Sequence, residues 1–223
     1  MPLTIAIDGP VGAGKSSIAD AVAKELSRIH LDTGAMYRAL GFQAMTLGVD
    51  MDSEDALYEL LKVTEITVSY EDGVQRTLVN GGDVSGLIRT PEASMAASKV
   101  SRFARVRAHM VRLQQEWCMS HDAVLDGRDI GTTVLPNATL KVFLTASAEE
   151  RARRRFEEYQ RKGDPTPFEQ VLSDLKKRDE QDTTRKVEPL RAAEDAVIVD
   201  STHMTFDEVV EHIVQLALEK QEA

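Results

Sequence analysis

The sequence predicts an α/β fold in which a five-stranded parallel sheet is flanked by helices in three layers. Short apolar segments alternate with amphipathic helical patterns along the 223 residues, which is typical of a parallel sheet connected by helices. A glycine-rich stretch directly follows the first predicted strand, and one segment with a hairpin signal interrupts the helical patterns. The length fits one domain with insertions.

The N-terminal part of the chain is predicted to be a strand followed mainly by helices. After an initial β-branched run, apolar residues recur at helical spacing. Gly48 is expected to end one helix, and Ser53 to cap the next. The predicted elements are a strand at 3–7, a helix at 17–29, an extended piece at 30–33, and helices at 34–48 and 53–62.

Residues 64–90 are predicted to form a small β-rich insertion. Two strand-like runs flank the dipeptide Asp72-Gly73, and such a dipeptide between alternating runs is a strong hairpin signal. Because the segment lies between helical patterns, we expect it to form a sheet of its own.

The C-terminal part returns to alternating helices and strands. Residues 91–120 are predicted as one long helical stretch. Three later apolar runs suit buried strands and, with 3–7 and 30–33, complete the five-stranded sheet. The predicted strands lie at 123–129, 140–146 and 196–201, and the helices at 147–163, 167–185 and 205–220.

The composition excludes several classes of protein. No apolar run approaches the ~20 residues that cross a bilayer, and the start of the sequence carries no signal-peptide pattern, so we expect neither a membrane partner nor secretion. The single cysteine, Cys118, cannot form an internal disulfide, which fits a cytoplasmic location. It is expected to be a small buried side chain. The absence of a long exposed apolar stripe favours a monomer.

Charge is distributed unevenly along the chain. The net charge is −10, which argues against a partner that is polymeric nucleic acid. Residues 151–191, however, hold twelve Lys and Arg against nine acidic residues. A local basic segment on an acidic protein suits a small and highly anionic ligand.

The glycine-rich stretch matches the phosphate-binding pattern G-x-x-x-x-G-K-[ST], called the P-loop. Gly9, Gly14, Lys15 and Ser16 occupy its fixed positions, between a predicted strand and a predicted helix. Backbone amides would bind the phosphates of ATP, Lys15 would contact the β- and γ-phosphates, and Ser16 would ligate Mg²⁺. An ordinary flexible turn is the alternative. The expected ATP-binding residues are Gly9, Pro10, Val11, Gly12, Ala13, Gly14, Lys15, Ser16 and Ser17.

Two later segments place cationic side chains on single helix faces. Arg151, Arg154 and Arg155 share one face, and Arg178 and Arg185 share another with Asp182. Solvated ion-paired faces are the alternative. The guanine-reading Asn-Lys-x-Asp of GTPases is absent, and a kinase that joins two anionic substrates needs cations for both. We therefore expect a phosphotransferase whose lid, residues 151–185, excludes water.

Several motifs together resemble those of the bacterial cytidylate kinases. They are IDGPVGAGKSS, LDTGAMYR, DVSGLIRT, AAS, RVR, LDGRDIGT and KKRDEQDTTR, in this order, and the resemblance extends from residue 3 to about residue 216. It implies transfer of the γ-phosphate of ATP to CMP or dCMP with Mg²⁺. It also implies one P-loop kinase domain over 1–223, with the core at 1–60, 91–150 and 190–223, the insertion at 64–90 and the lid at 151–185.

The resemblance also implies roles for individual residues. Ser98, Arg107 and Asp129 would contact the cytosine, and Arg38, Arg128 and Arg185 the acceptor phosphate. Arg178 and Asp182 would contact the ribose, and Thr33 and Tyr37 would line the acceptor pocket. The catalytic residues would be Lys15, Arg154, Arg155 and Arg185.

The chemistry of the expected cytosine site agrees with these roles. Cytosine donates a hydrogen bond from N4 and accepts at N3, whereas uracil has the opposite pattern, so Asp129 and Arg107 match cytosine and mismatch uracil. A loop cap is the structural alternative for Asp129. For Asp126 we expect stabilisation of the same turn, and for Asp8 a structural role.

Two other functions remain open at this point. One is a P-loop kinase of another small acceptor, such as UMP or shikimate. The other is a non-catalytic module that binds ATP, against which the lid arginines argue. The five histidines have no metal-ligand spacing.

Overall fold

A computed structural model describes residues 3–222, and the predicted domain limits at residues 1 and 223 lie outside them. The strands in this range are β1 Thr4–Asp8, β2 Ile29–Asp32, β3 Ile66–Glu71, β4 Val74–Val79, β5 Gly82–Asp83, β6 Ala123–Gly127, β7 Leu140–Thr145 and β8 Val197–Asp200. The α-helices are α1 Lys15–Glu25, α2 Thr33–Thr46, α3 Glu54–Lys62, α4 Pro91–Val100, α5 Ala104–Cys118, α6 Ala148–Arg161, α7 Phe168–Thr184 and α8 Phe206–Glu222. A π-helical turn, Ile130–Val134, follows β6.

The chain divides into two compact units. Within the described residues, the first unit comprises 3–30 and 122–222, and the second comprises 31–121. In this division, residues 31–60 and 91–121 group with the β-rich insertion, although Leu31 and Asp32 also belong to β2 of the five-stranded sheet. The predicted single kinase domain with its core, insertion and lid stays a prediction.

The predicted five-stranded sheet is confirmed, in the order β2-β6-β1-β7-β8. β1 pairs in parallel with β6 and β7, and β7 pairs in parallel with β8. All five residues of β6 and four of the five in β1 are buried, as expected for strands covered on both faces. The carboxyl ends of these strands therefore lie at one edge of the sheet, where ligands bind in open α/β folds.

Helices α1 and α8 cover the sheet through an apolar cluster. Val22 of α1 and Ile213 of α8 are fully buried against Ile5 and Val124 of the two central strands. α1 ends at Glu25, four residues earlier than predicted. Ser27 adopts a left-handed conformation with φ 54°, and the chain then enters β2, so the apolar residue at position 29 belongs to the sheet.

Helices α6 and α7 form a hairpin with a small core of its own. Ala152, Val171 and Leu175 are buried together with Val11 of the loop after β1, and the rings of Phe156 and Phe168 meet edge to face at 5.9 Å. These are the two helices predicted for the basic segment. The packing fixes the position of the hairpin relative to the glycine-rich loop.

The second unit contains the predicted hairpin. β3 and β4 pair antiparallel, with Glu71 opposite Val74, and β5 adds a short third strand. Asp72 and Gly73 have φ values of 51° and 76°, which suits a two-residue type I′ turn. Ser53 caps α3 as predicted, since its Oγ accepts a hydrogen bond from Ala56 N.

The long helix predicted over residues 91–120 is wrong, because two helices occupy this range. α4 ends at Val100, and α5 begins at Ala104 after an extended Phe103 with φ −91° and ψ 134°. The Arg107 guanidinium donates to the carbonyl of Ser101 at 3.1 Å and so satisfies a carbonyl at the break. None of the helices within residues 3–222 is long and apolar enough to cross a membrane.

Candidate active site

The loop between β1 and α1 requires glycine at two positions for different reasons. A Cβ on Gly9 would lie 2.0 Å from the Leu144 carbonyl oxygen of the neighbouring strand, so no side chain fits there. Gly14 caps α1 with φ 88° and has open space around it, so its requirement is conformational. No side chain caps α1 at this end. The N–H groups at the start of α1 thus suit an anion.

Lys15 is buried at the start of α1. Only 5% of it is exposed, and its Nζ donates a hydrogen bond to the Pro10 carbonyl at 2.7 Å. Burial, and then the charge of Arg128, lower the pKa of Lys15 well below its usual range, although nearby carboxylates oppose the shift. An anionic phosphate beside Nζ would favour the charged amine, so phosphate binding and protonation of Lys15 would support each other.

Asp126 at the end of β6 connects Ser16 to His30. Its Oδ2 accepts a hydrogen bond from Ser16 Oγ at 2.7 Å, and its Oδ1 lies 2.8 Å from His30 Nε2. Burial opposes ionisation of Asp126, but the hydrogen bond and charge of His30, with Lys15 and Ser16, hold its pKa below the usual range. The role of Asp126 in stabilising the local turn stays a prediction, and its carboxylate also accepts a hydrogen bond from the side chain of the predicted Mg²⁺ ligand, Ser16.

Asp8 supports the turn that follows β6. Its two carboxylate oxygens accept hydrogen bonds from Ile130 N at 2.8 Å and Gly131 N at 2.7 Å, which agrees with the structural role predicted for it. Burial raises the pKa of Asp8 to about 6 despite these two bonds. The π-helical turn carrying the residues after Asp129 is thereby attached to the end of β1.

Arginines gather around a buried carboxylate at the end of α7. Asp182 accepts a hydrogen bond from Arg128 Nε at 2.8 Å. Burial opposes its ionisation, but Arg128, and then Arg178 and Arg185, hold its pKa below the usual range. Arg185 donates from Nε to the Glu188 carbonyl. Four of the residues predicted to bind the acceptor thus lie in one cluster, and the charges of Arg128 and Asp182 also act on the pKa of Lys15.

A cleft of about 560 Å³ lies in the first unit beside the glycine loop. It is lined by Gly12–Gly14 and by the predicted catalytic residues Arg154 and Arg155 of α6. Arg154 donates to the Ser201 side chain and carbonyl, at 3.1 and 2.7 Å, and Arg155 donates to the Tyr159 hydroxyl at 3.1 Å. The structure thus brings these two arginines to the loop, whereas Arg185 belongs to the Asp182 cluster.

The far wall of this cleft was not predicted. Ser201, Met204, Thr205 and Phe206 line it, and they follow β8, the last strand of the sheet. Their position after a parallel strand was the available signal, because the carboxyl end of such a strand is where ligands bind. Their residue types carry no signature of nucleotide binding. They line the cleft only because the chain packs beside α6 and the glycine loop.

Arg151 differs from the two arginines that share its predicted face. It is buried, and its guanidinium donates to the carbonyls of Ala146 and Val11 and to the Asp179 carboxylate. The bond to Val11 ties α6 to the glycine loop, and the bond to Asp179 ties α6 to α7. Arg151 therefore serves as a structural clamp of the loop.

The second unit holds the other predicted site residues. Asp32 caps α2 by accepting from Ala35 N at 2.9 Å, and its Oδ2 accepts from Arg38 Nη2 at 2.6 Å. Arg38 Nε, although buried, has no hydrogen-bond partner among the residues at 3–222, so this guanidinium keeps donor capacity for an anion. Thr33 is the first residue of α2 and is buried.

Arg107 lies against Tyr37 in the same unit. Its guanidinium carbon is 5.6 Å from the centre of the Tyr37 ring, and its bond to Ser101 orients it at the break between α4 and α5. Ser98, on the last turns of α4, is half-buried. Asp129, which is predicted to contact the base together with Ser98 and Arg107, belongs to the first unit. Its side chain is buried and does not cap the π-helical turn. The alternative that Asp129 is a loop cap therefore lacks support.

Comparison with known proteins gives a consistent result. The family model described as cytidylate kinase matches residues 5–219. A cytidylate kinase of Caldicellulosiruptor bescii is 48% identical over 214 residues, covering 96% of this chain and 95% of that one. One of Shouchella clausii is 49% identical over 215 residues, covering 96% of each chain.

A solved structure shows similarity at the level of the fold. The crystal structure of an uncharacterized protein from Eubacterium ventriosum covers 98% of this chain and 99% of its own, with a TM-score of 0.53 and 11% identity. Together with the sheet order described above, this supports the predicted α/β architecture.

The raised pKa of Asp8 predicts a pH-dependent stability. The folded chain holds a proton on Asp8 up to about pH 6, whereas the unfolded chain releases it near pH 4, so folding stability falls as the pH rises between these values and is level above them. The expected loss is about 3 kcal/mol. Urea unfolding at pH 4 to 7, with Asp8→Asn as the non-titrating control, measures it. A constant stability difference between the two proteins across this range would contradict the prediction.

Proposed function

The chain belongs to the cytidylate kinase family, and on that premise we propose which of its residues transfer the γ-phosphate of ATP to CMP or dCMP. One observation supports the assignment most strongly. Buried Lys15 lies at the end of the glycine loop, which borders the cleft of Arg154 and Arg155, and it is influenced by the Arg128–Asp182 pair. A phosphate bound at Lys15 therefore has cationic groups from two sources near it.

The donor nucleotide binds in the first unit. The backbone N–H groups of the glycine loop and of the start of α1 hold the phosphates of ATP, and Lys15 exchanges its bond to the Pro10 carbonyl for the β- and γ-phosphates. The cleft takes the nucleoside, with Phe206 and Met204 providing apolar surface. Arg154 and Arg155 supply charge toward the triphosphate, and Arg151 keeps the loop in place through Val11.

Mg²⁺ suits the oxygen pair formed by Ser16 and Asp126. A hydroxyl and a carboxylate 2.7 Å apart at the start of α1 offer the hard ligands that this ion prefers. Among residues 3–222 there is no group of three or more acidic, His or Cys residues that could hold a metal, which fits an ion bound mainly by phosphates and water. When bound, the ion neutralises charge on the β- and γ-phosphates.

The roles toward CMP that the family implies are proposed here for the residues of each unit taken separately. From the first unit, Arg128 and Arg185 bind its phosphate, Arg178 and Asp182 its ribose, and Asp129 its base. From the second unit, Arg38 binds the phosphate, and Ser98 and Arg107 the base, with Thr33 and Tyr37 as pocket walls. Asp129 accepts from the cytosine amino group and Arg107 donates to its acceptors, a pattern that uracil reverses.

Transfer needs no general base. The acceptor oxygen on the phosphate of CMP is already anionic and attacks the γ-phosphorus directly. A new O–P bond forms as the bond from the γ-phosphorus to the bridging oxygen breaks, which leaves ADP and CDP. The protein's contribution is alignment and neutralisation of charge by Lys15 and the arginines.

Family membership, rather than geometry, selects among the possible acceptors. Relatives at 45–49% identity over nearly the whole chain are named cytidylate kinases, so CMP is preferred over the UMP or shikimate considered from the sequence. A cytoplasmic monomer is the associated proposal. Light scattering after size-exclusion chromatography tests the monomer, and a mass of twice 24.7 kDa would overturn it.

A panel of nucleoside monophosphates tests the acceptor. With ATP and Mg²⁺, we expect ADP release to be much faster with CMP or dCMP than with AMP, GMP or UMP. A coupled assay at one enzyme concentration measures all five. Equal rates with CMP and UMP would contradict the proposed base selection.

Substitution of Asp129 tests the reading of the base. Asp129→Asn replaces one acceptor by a donor that can match O4 of uracil, so the ratio of UMP to CMP turnover should rise at least tenfold, while the KM for ATP stays unchanged. Asp129→Ala should lower CMP turnover without favouring UMP. A matching rise in the KM for ATP would remove Asp129 from this role.

Arg155 on α6 is expected to act in transfer rather than in binding CMP. Arg155→Ala should lower kcat on the order of 10³-fold with little change in the KM for CMP. Arg153→Ala is the matched control, because Arg153 lies on the same helix with 64% of its side chain exposed. Steady-state kinetics decide the point, and an effect on KM alone would refute the assignment.

A further inference from the structure

We propose that Gln75, in the β-rich insertion, is a positioning residue for the acceptor phosphate. Its side-chain amide forms hydrogen bonds with the backbone of Asp32. The carboxylate of Asp32 in turn caps α2 and accepts a hydrogen bond from Arg38. The inference rests on the proposed binding of the CMP phosphate by Arg38. It also assigns the three-stranded sheet a task in the reaction.

The contact between Gln75 and Asp32 is two-sided. Gln75 Oε1 accepts a hydrogen bond from Asp32 N at 2.8 Å, and Gln75 Nε2 donates to the Asp32 carbonyl at a longer 3.4 Å. Nε2 also donates to Thr77 Oγ1 at 3.3 Å. The three bonds agree on one orientation of the amide, since the reverse orientation would set its NH₂ group against the Asp32 N–H.

The geometry of the β3–β4 hairpin orients the Gln75 side chain toward Asp32. Gln75, Thr77 and Val79 alternate along β4 and share one face, and Thr77 and Val79 are buried. The tight Asp72-Gly73 turn sets the register in which Gln75 is opposite Tyr70. A slip of one residue would turn Gln75 to the other face. The Thr77 amide is itself held by Ser85 Oγ at 2.8 Å, so the strand under Gln75 is anchored.

The position of Asp32, held by Gln75, determines the position of Arg38 in the proposed phosphate site. Its Oδ1 accepts from Ala35 N and its Oδ2 from Arg38 Nη2, so one carboxylate sets both the start of α2 and the direction of the guanidinium. The backbone of Asp32 just before α2 has φ −74° and ψ 95°, and its amide precedes the first turn of the helix. Gln75 satisfies this amide from outside the helix. Without Gln75, the backbone of Asp32 loses this hydrogen bond, and the position of the Asp32–Arg38 pair is less well defined.

The experiment compares Gln75→Ala with wild type in full steady-state kinetics. The KM for CMP should rise about tenfold, while kcat and the KM for ATP stay within about twofold. dCMP should be affected equally, because Arg38 contacts neither base nor sugar. Cytidine, which has no phosphate, should inhibit both proteins with the same Ki. Gln75→Glu keeps an oxygen acceptor for Asp32 N and should recover most of the affinity for CMP.

Thr67→Ala provides the control for a general weakening of the small sheet, because Thr67 is exposed on β3 of that sheet. Hydrogen exchange adds a readout independent of turnover: the amides of Asp32 and Ala35 should exchange faster in Gln75→Ala and not in Thr67→Ala. An unchanged KM for CMP, unchanged exchange, or an equal loss with both substrates would overturn the proposal.

Arg38→Ala separates this test from the test of the function itself. If wild type phosphorylates CMP and Arg38→Ala loses affinity for it, the proposed function of Arg38 stands, and Gln75→Ala alone decides the inference. If wild type does not use CMP, the proposed function fails. The hydrogen-exchange comparison still decides whether Gln75 positions Asp32.

Discussion

The burial of a single cation, Lys15, is the constraint on which the site depends. An ammonium group out of contact with water is costly unless oxygens surround it, and here the Pro10 carbonyl accepts its hydrogen bond while carboxylates at the ends of β1, β6 and α7 oppose the loss of its charge. Each of these carboxylates also accepts hydrogen bonds from another part of the site. Asp8 holds the π-helical turn, Asp126 holds Ser16, and Asp182 holds Arg128. A change at one of them alters the field at Lys15.

The basic segment serves two purposes that its sequence does not separate. The side chain of Arg151 is buried. Its bonds to the Val11 carbonyl and to Asp179 connect the α6–α7 hairpin with the glycine loop, and a third bond goes to the Ala146 carbonyl. Arg154 and Arg155 lie at the cleft, where Arg154 donates to Glu150 and Ser201 and Arg155 donates to Tyr159. We propose that this hairpin acts as a lid, with Arg151 at its attachment to the glycine loop and with Arg154 and Arg155 facing the cleft.

In the second unit, two polar side chains are oriented at interruptions of regular structure. The break between α4 and α5 orients Arg107 through Ser101, and the two-residue turn after β3 sets the register that brings Gln75 to Asp32. Both features place a polar side chain where a continuous helix or a slipped strand would not. The β-rich insertion is thus bonded to Asp32, the partner of Arg38, and we propose that it contributes to binding of the acceptor in this way.

Local patterns in the sequence determined the class of fold and the donor loop. Strand and helix periodicity is a property of neighbouring residues, so the five strands, the hairpin turn, the cap at Ser53 and the Gly9–Ser16 motif were all predictable. The tertiary structure alone decided the break at residues 101–103, the partner of Asp126, the division between Arg151 and Arg154, and the cleft wall after β8. Each of these depends on contacts made in the folded chain, such as the bonds of Asp126 to Ser16 and of Arg151 to Val11, and contacts between segments distant in sequence leave no periodic signal along the chain.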